Sequence, residues 1–174
     1  MSTRANVTVK DRNDMLWFYR HSDGYPDGAL PTLSEFMRKV ASGEIRDNVV
    51  QAAGWLIVIG HKEYLPRPLR NEVGRFRKMT SDEKARAERT QGFSDWKVGA
   101  YEPTTTRHGD IEYLYALNLE NRTINVYKTT WDTSQPDDQR HDGSTLRDAL
   151  LGTLTFAQGS VTSTDETLLQ ASQS

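Results

Sequence analysis

Two histidine–carboxylate units, His21-Ser22-Asp23 and His108-Gly109-Asp110, are the residues best equipped for chemistry in this 174-residue chain. An imidazole two positions from a carboxylate offers one group that binds metals or moves protons and another that ligates beside it or holds the ring. Should the units meet, His21, Asp23, His108 and Asp110 form an N/O ligand set for a divalent metal, or an acid–base cluster for hydrolysis. The protein would then be a metal-dependent hydrolase or nuclease. The same residues also suit structural or ligand-binding polar contacts, because spacing alone does not bring them together.

The first unit lies in residues 18–28, which add Tyr19, Arg20, Tyr25, Pro26 and two glycines. Arg20 beside Tyr19 and Tyr25, with Arg4, is suited to grip a planar anion or carboxylate. Internal salt bridges that tie down a loop are the competing explanation. A turn so rich in hydrogen-bonding groups, glycine and proline is the strongest interface candidate in the chain. Together with the strand entrance at 108–112 it defines a candidate binding surface of Arg4, Tyr19, Arg20, His21, Asp23, Tyr25, His108, Asp110 and Glu112. The leading expectation is a soluble accessory protein that binds a host protein or a small polar ligand through the 21–26 turn.

Other classes are narrowed by composition. The chain has no cysteine, which excludes disulfide scaffolds, thiolate zinc sites and cysteine catalysis. No nucleophile elbow, P-loop or dinucleotide fingerprint is present. No cofactor is expected beyond the candidate divalent metal. A net charge of -2 gives no global pull toward nucleic acid. Residues 61–97 hold ten Lys/Arg against six Asp/Glu, a local excess in which Lys62, Arg67, Arg70, Arg75, Arg77 and Lys78 flank Tyr64 and Phe76. Interspersed acids favour a solvated face there over single-strand binding. Residues 55–59 are the longest strongly apolar run, too short to span a bilayer, and the N-terminal residues lack a secretory signal. The expected setting is cytoplasmic, with no membrane.

The elements that must position these groups follow from periodicity. Residues 6–10 and 15–20 read as a β-hairpin around Asp11-Arg12-Asn13-Asp14, with Arg4 and Asn6 on an edge strand near the polar junction if the register allows. Asp23 suits an Asx turn and Gly24 a positive φ. Thr32-Leu33-Ser34-Glu35 has capping-box spacing, predicting a helix from Thr32 to Gly43. A second helix is predicted through Ile59. Residues 111–119 and 123–128 read as a second hairpin, with Ile111, Tyr113, Tyr115, Leu117 and Leu119 sharing one face. Residues 145–156 suit a small helix or strand. The expected fold is α+β: an antiparallel sheet of about four strands from two hairpins, with two or three helices on one face. One domain over 1–156 and a flexible polar tail over 157–174 complete the expectation.

Ser2-Thr3-Arg4-Ala5-Asn6, Tyr19-Arg20-His21-Ser22-Asp23-Gly24-Tyr25-Pro26 and, less fully, residues 109–115 resemble a family of small uncharacterised proteins from phage and mobile-element genomes. Ser22 stands where an aromatic often occurs in that family. The resemblance implies an accessory protein that modulates a host protein. It transfers no catalytic residue.

Overall fold

A computed structural model describes residues 3–61, 80–82, 100–131 and 146–173 of the chain. In chain order these form β1 (Ala5–Lys10), β2 (Met15–Arg20), α1 (Pro26–Ser42), α2 (Val49–His61), β3 (Glu102–Thr104), β4 (Tyr113–Asn118), β5 (Thr123–Trp131), β6 (Leu146–Ala157), β7 (Ser160–Ser163) and α3 (Glu166–Ala171). The basic stretch with Lys62, Arg67 and Phe76 lies outside the described residues.

The fold is α+β, but the sheet is not the expected four-stranded antiparallel one. Among the described residues it has seven strands in the order β3-β2-β1-β4-β5-β6-β7. It is mixed, because β1 and β4 pair in parallel from Ala5 opposite Tyr113 to Lys10 opposite Asn118. Both predicted hairpins exist. The segment 105–112 leads from β3 to β4 and delivers the chain to β4 at the end of the sheet where β1 also begins, so the two strands run the same way. β1 is therefore central rather than an edge. The short, proline-containing β3 takes the edge beside β2, a sequence poorly suited to further pairing. Where a small helix or strand is expected over 145–156, the described residues from Leu146 form the long strand β6. The end of the chain, expected as a flexible tail, carries β7 and α3, with Leu168 and Ala171 buried in the core.

Alternation along the strands divides the sheet into two faces. Val7, Val9, Phe18, Tyr115, Leu117 and Val126 face the helices and join Leu33, Phe36 and Met37 of α1 in the main core. Each fully buried large side chain there contributes about 1.5–3 kcal/mol relative to exposure. On the opposite face Tyr19, Ile111, Leu114 and Leu146 form a smaller cluster with Trp17 and Tyr127 against it. Ile111 thus departs from the face predicted for it. It precedes β4 and belongs to the crossing segment, so the strand's alternation does not apply to it.

α1 begins at Pro26, not Thr32, and Pro31 lies inside it. Proline's fixed φ suits the first helical position, where its missing N–H removes no helical bond. The amides of Gly28 and Ala29 both donate to the Tyr25 carbonyl and start the helix before the apparent capping box is reached. Gly43 ends it in the left-handed region at φ 83°. α2 is capped from two directions: the Asn48 side chain accepts from the Gln51 amide and Asp11 from the Val49 amide. These backbone donors, Val49 first and then Asp14 and Asn13, hold the Asp11 carboxyl below its ordinary range.

Candidate functional site

Tyr19 is the centre of the polar junction. It projects from β2 onto the face opposite the helices, beside Asn6 of β1 and Glu102 of β3, and is 4% exposed. The His108 ring lies flat on it, with centroids 4.0 Å apart and planes 17° apart. The His21 ring meets it edge-on at 4.4 Å and 82°. The Tyr19 hydroxyl donates to Asp110 Oδ2 at 3.1 Å, and Arg4 Nη1 donates to the same oxygen at 2.6 Å. The two histidines predicted from the sequence therefore do meet, across one phenol.

The 105–112 segment is fastened over this end of the sheet by groups that sequence spacing does not single out. Asn6, fully buried, accepts the His108 amide at 2.8 Å and donates to the Phe18 carbonyl at 2.9 Å. Thr129 donates from its hydroxyl to the Ile111 carbonyl at 2.7 Å, and its amide donates to the Glu112 carbonyl. Arg107 grips Asp148 of β6 with both terminal nitrogens. The ring nitrogens are held as well, with His21 Nε2 3.1 Å from Glu102 Oε2 and His108 Nε2 3.2 Å from Thr104 Oγ1. Glu102 and Thr104 are two residues apart on one strand, so both point to this face. No local pattern in the sequence marks Glu102 or Thr104, because they reach this face only when β3 pairs with β2, more than 80 residues away in the chain.

The other predicted site residues are placed differently. Arg20 is 2% exposed and lies on the helix side of the sheet. Its guanidinium donates to the carbonyls of Ser22, Asp23 and Gly28 and to the Tyr101 hydroxyl, binding its own turn to the start of α1. That arrangement is the internal tie rather than an anion grip. Asp23 is exposed and takes φ 52°, the positive value expected of Gly24. Gly24 is needed for a different reason. A Cβ there would lie 2.8 Å from the Arg4 carbonyl carbon and 2.9 Å from Ala5, so the turn can press onto β1 only without a side chain. Tyr25 is 41% exposed and precedes α1 without a side-chain cap. Glu112 pairs with Lys128 at 3.3 Å. Asp23 thus stands apart from the His21–Tyr19–His108 stack, and the described residues contain no group of three or more His, Cys, Asp or Glu able to hold a metal.

The electrostatics keep the Tyr19 hydroxyl protonated as a hydrogen-bond donor. Burial pushes the Tyr19 hydroxyl up to about 12; the Asp110 charge and the bond to it add to the shift, while Arg4 opposes it. At neutral pH the phenol is a fixed donor, not a base. A pocket of about 330 Å³ opens at the segment and is lined by Thr106, Arg107, His108, Gly109 and Asp110. A larger cavity of about 640 Å³ lies between α1 and the β6–β7 turn. Its volume is a weaker argument, because its charges have partners in place: Lys39 with Glu44 at 2.8 Å, and Arg38 with the Ser172 carbonyl at 2.9 Å. The smaller pocket is lined by two residues, Arg107 and Asp110, that each keep a buried polar atom without a partner among the described residues.

No known protein family, curated protein or solved structure matches the chain.

Proposed function

We propose that the chain acts by binding, with a host protein or a small polar ligand engaging the rim where the 21–26 turn meets residues 106–110. The carrying observation is the stack of His21, Tyr19 and His108 beside the 330 Å³ pocket. An exposed imidazole and a pre-ordered polar wall stand at a concavity whose supporting groups are locked from behind, the arrangement that lowers the ordering cost of binding. An accessory role in a host cytoplasm is what the resemblance of residues 2–6 and 19–26 to proteins of phage and mobile elements would imply. Among the described residues no helix is long and apolar enough to cross a membrane.

The metal-dependent hydrolase or nuclease reading is second. Its support is the meeting of His21 and His108; Asp23, its fourth member, forms no part of that stack.

One NMR experiment separates the two. The histidine ring resonances of chelator-stripped protein are followed during additions of zinc, manganese and nickel, and then of small amides, carboxylates and amines. Saturable shifts at residues 106–110 and His21 with the organic probes alone support binding. Joint metal shifts at both rings, lost in His21→Ala and in His108→Ala, would put metal chemistry first. Organic-probe shifts confined to the α1 cavity would overturn the site assignment.

A further inference from the structure

Two residues that line the 106–110 pocket each carry a buried side-chain atom with no hydrogen-bond partner among the described residues: Arg107 Nε and Asp110 Oδ1. Their residues are otherwise fully engaged. Arg107 spends both terminal nitrogens on Asp148. Asp110 receives Arg4 and the Tyr19 hydroxyl on Oδ2 alone. What each residue has left is therefore defined: one N–H that must donate, and one carboxylate oxygen that must accept. A desolvated polar group without a partner is destabilising, and more so when it belongs to a charged side chain. The described residues supply nothing else to either atom.

From this pair we infer that the pocket takes an amide group, its carbonyl oxygen accepting from Arg107 Nε and its N–H donating to Asp110 Oδ1. The inference rests on the binding function proposed above and names its ligand chemistry. A carboxylate would satisfy Arg107 but set its charge against Asp110. An ammonium or guanidinium would satisfy Asp110 but repel Arg107. Of the groups compared, the amide is neutral and carries both an acceptor and a donor. Both side chains retain some exposure, 18% for Arg107 and 31% for Asp110, so admitting the ligand requires side-chain movement rather than opening of the sheet. Amides come as free carboxamides or as the main chain of an extended peptide, whose residues each present an N–H and a C=O to one side.

The test is a titration of the ¹⁵N-labelled full chain with four probes: acetamide, N-acetylglycine N-methylamide, acetate and methylammonium. The readouts are the Arg107 Nε–H resonance and the backbone amides of 106–110. The expected result is saturable shifts with an amide probe at millimolar concentration and smaller or no shifts with the two ions. Arg107→Lys keeps a cation for Asp148 but has no Nε–H, and should weaken amide binding roughly 3- to 10-fold, the worth of one hydrogen bond. Tighter binding of the blocked glycine than of acetamide identifies a peptide source, and the reverse a carboxamide. Equal or better binding of acetate or methylammonium overturns the amide assignment while leaving a polar-ligand site. An Nε–H protected from exchange and unmoved by every probe shows an internal bond between Arg107 and Asp110, and overturns both the amide and the pocket. The wild-type Nε–H resonance decides the matter even if Arg107→Lys does not fold.

Discussion

At residues 21–23 the chain leaves β2 with its imidazole 64% exposed and its aspartate turned outward at φ 52°. At residues 108–110 the same His-x-Asp pattern passes beneath a tyrosine, with its aspartate bonded to Arg4 and to the phenol. The first unit is a rim and the second is a clamp. The difference comes from what each meets. Arg20 takes the main-chain carbonyls of the first turn and holds its backbone from the helix side, which leaves the His21 and Asp23 side chains toward solvent. Asn6 takes the amide of His108 and pulls the second unit onto the opposite face. Identical spacing carries no shared geometry when the anchoring partners lie on different faces of a sheet.

Substitutions at the anchors should disturb this contrast most. Gly24→Ala places a methyl group against backbone atoms of Arg4 and Ala5 and should cost about 3 kcal/mol. The readout is a large fall in Tm, with the turn lifted off β1. Asn6→Ala should come next at about 2 kcal/mol, because the His108 amide would be left without its buried acceptor. Hydrogen exchange should then show the His108 amide opening while β1 to β2 pairing persists. Unchanged protection of that amide would refute the clamp.

Asp110→Asn sharpens the comparison through the phenol. Folding raises the Tyr19 hydroxyl to about 12, so its contribution to stability is fully present below pH 10 and is lost as pH rises through about 12. Removing the Asp110 charge should bring the phenolate absorbance transition to a lower pH. It should remain above the ordinary tyrosine value, since burial is the larger cause. Tyr19→Phe identifies the transition by deleting it. The smallest effects belong to the rim. His21→Ala, which loses an exposed pair with Glu102 and its edge contact on Tyr19, should cost about 1 kcal/mol, and Asp23→Asn, which also tolerates positive φ, should change stability by no more than about 0.5 kcal/mol. A loss at Asp23 as large as that at Asn6 would erase the distinction between the two units.

Local order was legible where it depends on neighbours in sequence. Alternation of Val7 and Val9, the turn at Asp11 to Asp14, the helical recurrence of Leu33, Phe36, Met37 and Val40, and the stop at Gly43 all appear in the molecule. Less legible were elements whose signals are weak or compete. Pro26 outweighed Thr32 as a helix start. Ser160 to Ser163 looked like tail because a short edge strand with one valine has little hydrophobic pattern, yet β6 supplies its hydrogen bonds.

By itself the sequence determined the α+β character, the two hairpins, the absence of thiol chemistry and the concentration of polar groups at residues 18–28 and 108–112. Periodicity and turn preference act over a few residues, so they can be read without knowing what lies across the sheet. The tertiary structure alone decided that β1 and β4 run parallel, that His21 and His108 share Tyr19 while Asp23 stands apart, and that Arg20 is a tie rather than a grip. Each of these depends on contacts between residues far apart in the chain. Their energies come from burial and from satisfying hydrogen-bonding groups in the assembled sheet, and no spacing along the sequence specifies them.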